Sequence, residues 1–350
     1  MDQIITLQNS VQTLYAELLQ QVMSAEADRD IGDLKGIFVK KEIKGKKYWY
    51  LQYREASIQK QVYLGAENKE LIKIIKEHEK GKRLKKDDLK IRQNLCLMLK
   101  NGGAYTLDHL SSKIINLLAQ SGIFKMGGVL VGTHAFAIYS NMLGIKWPSA
   151  LKTQDIDIAQ DKNISLALAD ENIKTDLGDV LDKAKMGFHP VPAFNHKEPS
   201  TSFKIRGKET HIDILTPLMG KQRSKPINLP ALNVAAEPLR QLDYLIEDYI
   251  QAILLFDDGI LVNVPHPIRY AFHKLIISSK RSTHLKTKQQ KDIEQATMLL
   301  KVLFRDGKSE IKKEYKKLVK RGKNWEKDIK KQIKKIGDEE VKAEMQKIIG

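Results

Sequence analysis

A single cysteine, Cys96, is all the thiol that 350 residues contain. No internal disulfide can form, and oxidised secretory scaffolds and cysteine-based zinc sites are excluded. Its neighbours Leu95, Leu97 and Met98 predict a buried thiol on a helix. Long hydrophobic runs are missing as well. Apolar residues make up 42 % of the chain and charged residues 29 %, and no window approaches the ~18 uncharged apolar residues of a spanning helix. The stretch from Met1 to Asp30 has no basic start followed by an uncharged segment, so no Sec-type signal peptide is expected and a cytoplasmic setting follows. Acidic residues are in deficit: 43 Asp and Glu face 60 Lys and Arg, a net charge of +17. That surplus attracts polyanions, with nucleic acid or nucleotide as the first suspicion. At 39.9 kDa the chain is too long for one small core and suggests two or three domains.

Periodicity then divides the chain. Ile4, Ile5, Leu7, Val11, Leu14, Leu18, Val22 and Met23 recur at helical spacing and predict an amphipathic helix over 3–27. Between Gly36 and Gly65 the pattern becomes that of a three-stranded β-meander, turning at Lys44-Gly45-Lys46. Helical runs follow at 67–86, 88–100 and 107–120. The second half mixes both kinds: a short strand at 128–132, a helix after it, strands at 155–159, 201–206 and 210–215, and a hairpin around Asp257-Asp258-Gly259. Helices return at 267–280 and 287–304, and the lysine-rich stretch 308–349 reads as helical. The division expected is 1–86, helix and basic meander; 87–230, a core with leading helices; 231–305, a hairpin and helices completing that core; 306–350, a basic helical tail.

The chemistry is carried by acids on strands. Asp155 and Asp157 alternate with Ile156 and Ile158, so both carboxylates leave one face of a strand with Cα atoms ~6.6–6.8 Å apart while the isoleucines enter the core. Asp213 repeats that context between Ile212 and Ile214. If the two strands lie side by side, three carboxylates converge on one sheet edge. An all-oxygen set suits Mg²⁺ or Mn²⁺ and is poor for zinc. Upstream, Gly132 and Thr133 stand where a strand passes into a helix, which places backbone N–H groups and a hydroxyl at a helix start, an anion site. Thr133 is expected to cap that helix or to donate to a phosphate oxygen. His134 is read either as a phosphate contact or as a satisfied structural histidine, and His273 likewise. His211 shares the face of Asp213, and it is not taken as a ligand. Lys274 on its amphipathic helix is read either as a solvated side chain or as a functional one, with Arg269 and Arg281 ranked below it. These parts together fit a triphosphate held with two metals for in-line attack by a hydroxyl.

The segment GGVLVGTHAFAIYSNMLGIKWPSALKTQDIDIA resembles the nucleotidyltransferase domain of the DNA polymerase β superfamily, most closely its bacterial toxin-like branch related to AbiEii proteins. HPIRYAFHKLIISSKR followed by KQQKDIEQATMLL is similar to the C-terminal helical motif of that branch, and the likeness covers about 120–305. The resemblance implies an α+β fold: a polymerase-β-like mixed sheet with flanking helices, here with an N-terminal helix plus three-stranded meander and a helical C-terminal region. It implies that Asp155 and Asp157 bind both metals and that Asp213 serves the catalytic metal near the attacking hydroxyl. Gly132, Thr133 and Lys274 would hold the nucleotide, with Asp292 supporting the site. Many superfamily members have Gly-Ser or Gly-Gly where this chain has Gly132-Thr133. A cognate neutralising protein, a toxin or effector role, and a bacterial cytoplasm or a host cytosol after export are further implications.

Two basic regions point to the acceptor. The meander interleaves Lys46, Lys47, Arg54 and Lys60 with Tyr48, Trp49, Tyr50, Tyr53 and Tyr63, a composition suited to stacking on bases. It also resembles the three-stranded arm-binding modules of phage integrases. The bland alternative is an aromatic sheet docked on the N-terminal helix. From Arg305 to Gly350, sixteen Lys and Arg face nine Asp and Glu, a track for a nucleic-acid backbone. The expectation is therefore an NTP-dependent, pyrophosphate-releasing transferase acting on RNA such as a tRNA end. The alternatives are a nucleic-acid-binding protein with a degenerate transferase core and a protein-modifying NMP transferase.

Overall fold

The structure, a computed structural model, describes residues 4–28, 37–43, 45–55, 58–148, 153–170, 173–193, 195, 197–221, 225–281 and 285–349. The chain opens with a short strand, β1 (Ile5–Thr6), and helix α1 (Asn9–Asp28). The predicted first helix thus starts later than its apolar spacing suggests, because Ile5 and Thr6 pair instead with Lys146 and Ile145. The meander follows as β2 (Ile37–Ile43), β3 (Lys46–Glu55) and β4 (Ile58–Ala66), antiparallel throughout. Helix α2 (Lys69–Asn101) then runs for 33 residues across positions 86 and 87, where two helices were expected. Its start is capped by Asn68, whose side chain accepts from the Leu71 N–H at 2.8 Å.

Helix α1 packs on α2 and on the later hairpin, burying Leu7, Val11, Tyr15, Leu18 and Val22 against Leu95, Cys96, Leu99 and Ile253. The Tyr15 hydroxyl accepts from the Ile253 N–H at 3.0 Å. Cys96 is buried there, and burial pushes its thiol up to about 12.

The second half of the chain is built around a seven-stranded sheet. Its parts are α3 (His109–Gln120), β5 (Val129–Leu130), α4 (Gly132–Met142), β6 (Ile145–Lys146), β7 (Asp155–Ala159), α5 (Lys162–Asp170), α6 (Leu177–Lys183), β8 (Phe188–Pro190), β9 (Ser202–Ile205), β10 (His211–Pro217), β11 (Ile227–Leu229) and β12 (Val234–Leu239). Strand order is β11-β12-β10-β7-β5, with β9 pairing the first part of β10 and β12 its last part. β10 lies parallel to β7 and β12, whereas β5 and β9 are antiparallel neighbours, so the sheet is mixed. Ile156, Ile158, Ile212 and Ile214 are fully buried on the core face.

A short helix α7 (Leu242–Ile246) leads into the hairpin β13 (Ile250–Leu254) and β14 (Ile260–Val264), which turns at Asp257-Asp258-Gly259 as expected. Asn263 fastens this hairpin to the sheet by donating to the Phe124 and Gly128 carbonyls at 2.7 and 2.9 Å. Helices α8 (Pro267–Lys280) and α9 (Lys286–Asp306) pack across the site. The lysine-rich tail is helical and divides into α10 (Lys308–Val319), α11 (Lys323–Ile333) and α12 (Glu339–Ile349). Arg269 ties α8 to the tail. Its side chain is 4 % exposed and meets Glu247, Asp248 and Glu314 at 2.8–2.9 Å. Among the described residues no helix is long and apolar enough to cross a membrane.

Candidate active site

Strands β7 and β10 pair in parallel with Asp157 opposite Asp213 and Asp155 opposite His211. Alternation does the rest: with the isoleucines buried, all four polar side chains stand on the same face. The three carboxylates therefore meet at the starts of two central strands, and not at a sheet edge, because β9 and β12 cover the far side of β10. His211 Nε2 lies 3.3 Å from both Asp155 Oδ1 and Asp213 Oδ2. The Ser202 hydroxyl, opposite Asp213 on β9, donates to Asp213 Oδ1.

Gly132 closes the site from the side. The Val131 N–H donates to the Asp157 carbonyl at 2.9 Å, which brings the strand-to-helix turn against β7. Gly132 has φ +66, and a Cβ at this position would collide with Asp157 Oδ2. Only glycine gives both the left-handed backbone and the room. Helix α4 starts here with Val131 as its N-cap and no side-chain cap. Thr133 is half-buried in the first turn and does not cap the helix, the first of the two roles expected of it. The first-turn N–H groups of α4 thus have no side-chain cap, and the positive end of the helix, on the carboxylates' side of the turn, can accept an anion. His134 takes no part there: it is buried, its Nδ1 lies 3.0 Å from the Asp155 carbonyl, and burial lowers its pKa. It positions the start of β7.

Helix α8 supplies the cationic wall. The Tyr270 hydroxyl donates to the Gly132 carbonyl at 2.8 Å, which holds α8 against the helix start. One turn on, Lys274 Nζ sits 2.8 Å from Asp292 Oδ1 with a side chain only 12 % exposed. Arg281 grips the second Asp292 oxygen. Asp292 is thereby a buried carboxylate shared by two cations, and Lys274 is near enough to Asp157 to favour that carboxylate's charged form. His273 points elsewhere: it is fully enclosed, and burial followed by the Lys274 charge lowers it to about 3. A cleft of about 630 Å³, lined by Tyr105, Asp108, His134, Gln154 and Thr210 among others, opens beside Asp155.

The electrostatics are those of excess negative charge. Burial, then Asp213 and Asp155, push the Asp157 carboxyl from 3.8 up to about 7 against the opposing pull of Lys274 and His211. For His211 burial opposes the charged form, but the Glu209 carbonyl and the carboxylates Asp213, Asp155 and Asp157 outweigh it and raise its pKa. Among the described residues no three His, Cys, Asp or Glu side chains already form a metal cage. The donor set nevertheless fits a hard divalent cation, since it is all carboxylate oxygen and carries mutual repulsion that such an ion would relieve.

Gly132, Thr133, Asp155, Asp157, Asp213, Lys274 and Asp292, singled out from sequence, thus fall around one site. Ser202 and Tyr270 were missed because their relevance depends on strand register and helix packing. His211 and Arg281 were weighed and set aside, although the parity of His211 with Asp213 was a usable signal. On the meander, Tyr63 lies 5.4 Å from Tyr50 and 6.1 Å from Tyr48, and Lys41 sits 4.8 Å over Tyr50. Lys46 and Lys47 are exposed on β3. The side chains of Tyr53, Arg54 and Lys60 lie outside the described ones. Helix α1 packs on α2 and the β13–β14 hairpin, and among the described contacts the meander is not what covers it.

A family model described as nucleotidyltransferase matches residues 109–320. The match covers more than half of the chain and every site residue from Gly132 to Asp292, and the chain belongs to that nucleotidyltransferase family and is a transferase enzyme. No curated protein and no solved structure matches it.

Proposed function

We propose that the chain moves a nucleoside monophosphate from an NTP to a hydroxyl of an RNA acceptor such as a tRNA end, with release of pyrophosphate. The observation that carries this reading is the in-register pairing of Asp157 with Asp213, with Asp155 on the same face and Gly132 against Asp157. Asp155, Asp157 and Asp213 would hold Mg²⁺ or Mn²⁺, two ions in this reading, to neutralise the triphosphate and lower the pKa of the attacking hydroxyl. The first turn of α4 binds phosphate oxygens through Gly132 and Thr133. Lys274, fixed by Asp292, adds a cation on the opposite wall. The cleft beside Asp155 takes the nucleoside. Asp213, steadied by Ser202, orients the acceptor hydroxyl.

The finer likeness to the toxin-like branch rests on the α8–α9 pair, where Lys274 meets Asp292. A growth-inhibiting role with a neutralising partner, in a bacterial or host cytosol, belongs to the same proposal. The test is incubation with α-labelled NTPs, Mg²⁺ and total RNA, beside the Asp155→Ala/Asp157→Ala variant. Label should pass to RNA with the native chain only. Transfer that survives the double substitution defeats the assignment, and label appearing on protein instead of RNA redirects it to a protein acceptor.

A further inference from the structure

The acceptor's place is marked by cations outside the site. Helix α9 carries Lys288 and Lys291 beside Asp292, both exposed and without an ion-pair partner among the described residues. Lys291 lies near enough to Asp155 for their charges to interact. Seven residues along α8 from Lys274, about 10 Å of helix, Arg281 reaches back to Asp292. Its neighbour Lys280 lies 3.5 Å from Asp328 on α11. Asp328 brings α11 to this end of α8; Lys327 and Lys331 stand on that helix, Lys334 is its C-cap and Lys335 follows in the turn. All four are exposed, and none has an ion-pair partner among the described residues. The nearby acids are already engaged, Asp328 by Lys280 and Glu326 by Lys330.

We propose that this run of lysines, from Lys291 and Lys288 at the site mouth to Lys327 and Lys331 on α11 and Lys334 and Lys335 at its C-terminal end, is the track on which the sugar–phosphate backbone of a polynucleotide acceptor lies. The inference rests on the transferase reading and deepens it by naming the path of the acceptor. The row consists of lysines with no aromatic or arginine among them, so it offers point charges to phosphates and no base readout; binding is therefore salt-dependent and indifferent to sequence. Its continuity with Lys274 and Asp292 distinguishes it from a merely solvated helix face. A strand held there presents its terminal hydroxyl to the carboxylates. That oxygen bonds to the α-phosphorus, the bond from the α-phosphorus to the bridging oxygen breaks, pyrophosphate leaves, and the hydroxyl proton passes to a carboxylate of the site.

The experiment uses the full chain and a fluorescein-labelled single-stranded RNA of mixed sequence, with anisotropy read across a salt series. In one variant Lys327, Lys331, Lys334 and Lys335 become Gln, which keeps helix propensity. A control of equal charge change replaces Lys162, Lys174, Lys197 and Lys225 by Gln, all exposed elsewhere. The track variant should lose about tenfold or more in affinity at moderate salt and flatten the slope of log affinity against log salt by about 3. The control should retain affinity within about threefold. Equal losses in both variants, or no loss in the track variant at an unchanged thermal midpoint, would overturn the track. A track variant that keeps RNA binding but loses binding to polyglutamate would overturn it in favour of an acidic protein partner. Asp155→Ala/Asp157→Ala separates the two readings: it should abolish NMP transfer yet bind RNA as the native chain does. RNA binding lost with transfer intact would remove the track alone, and transfer surviving that double substitution would remove the catalytic assignment alone.

Discussion

Replacing Gly132 by alanine tests whether the carboxylates are held where chemistry needs them. Two costs are separable. The backbone at Gly132 has φ +66, and an L-residue there costs about 1–2 kcal/mol. The added Cβ would also approach Asp157 Oδ2 well inside the 3.0 Å that real Cβ atoms keep. That oxygen ends a side chain and can yield, so the collision costs little stability, but the carboxylate must retreat by roughly 1 Å, a displacement of the size that costs a reaction about 10²-fold. Gly122 is the matched control, with φ +83 and nothing within 4 Å of its Cβ position. Gly122→Ala and Gly132→Ala should therefore lower urea stability by similar amounts, about 1–2 kcal/mol. Mn²⁺ is expected to raise the melting temperature of the native chain, and only Gly132→Ala should lose that rise together with pyrophosphate release from NTP. Retention of both by Gly132→Ala would refute the placement of Asp157 at the centre of the site.

The raised Asp157 carboxyl sets a pH dependence. A native value of about 7 against an ordinary 3.8 means that the folded chain holds the proton more tightly. Its stability contribution is full below about 4 and is lost as pH rises through 7, by up to about 4 kcal/mol. Urea midpoints measured from pH 4 to 8 should fall for the native chain, fall less for Asp157→Asn, and recover at pH 8 on adding Mg²⁺; parallel curves for the two proteins would contradict this. Asp292→Asn strands Lys274 and Arg281 beside a buried amide and should cost about 3–5 kcal/mol in urea unfolding, with transfer lost as well. Arg269→Met, which removes the tie among Glu247, Asp248 and Glu314, should destabilise without changing the pH profile of transfer in the folded fraction. Cys96 should resist thiol reagents in the folded chain and react once urea unfolds it, since burial holds its thiol up at about 12; fast labelling of the native protein would show α1 and α2 to be separable.

The three carboxylates were legible because Asp157 and Asp213 each sit between isoleucines, Asp155 stands two residues before Asp157, and a period of two fixes which side chains share a face. Gly132 was legible as a glycine ending an apolar strand before a helix. The parallel register that sets Asp157 against Asp213 is a long-range pairing, and no local pattern carries it. The strand Val234–Leu239 escaped notice since Glu237 and Pro238 interrupt its apolar run, yet it covers the end of β10. The break expected near residue 87 was drawn where a lysine-rich stretch gives way to an apolar run, a change of composition that one continuous helix accommodates. His134 shows the reverse case: sequence places it at a helix start, while packing turns its ring onto the Asp155 carbonyl.

The register of β7 against β10 also acts as an inspection step during folding. Sliding β10 by a single position would turn Asp213 inward and push Ile212 and Ile214 out to water, and sliding β7 would do the same with Asp157, Ile156 and Ile158. A molecule that closes its interior has therefore already aligned its acids, and one that has not cannot hide the error, so well-buried but misassembled copies of this enzyme have no stable form.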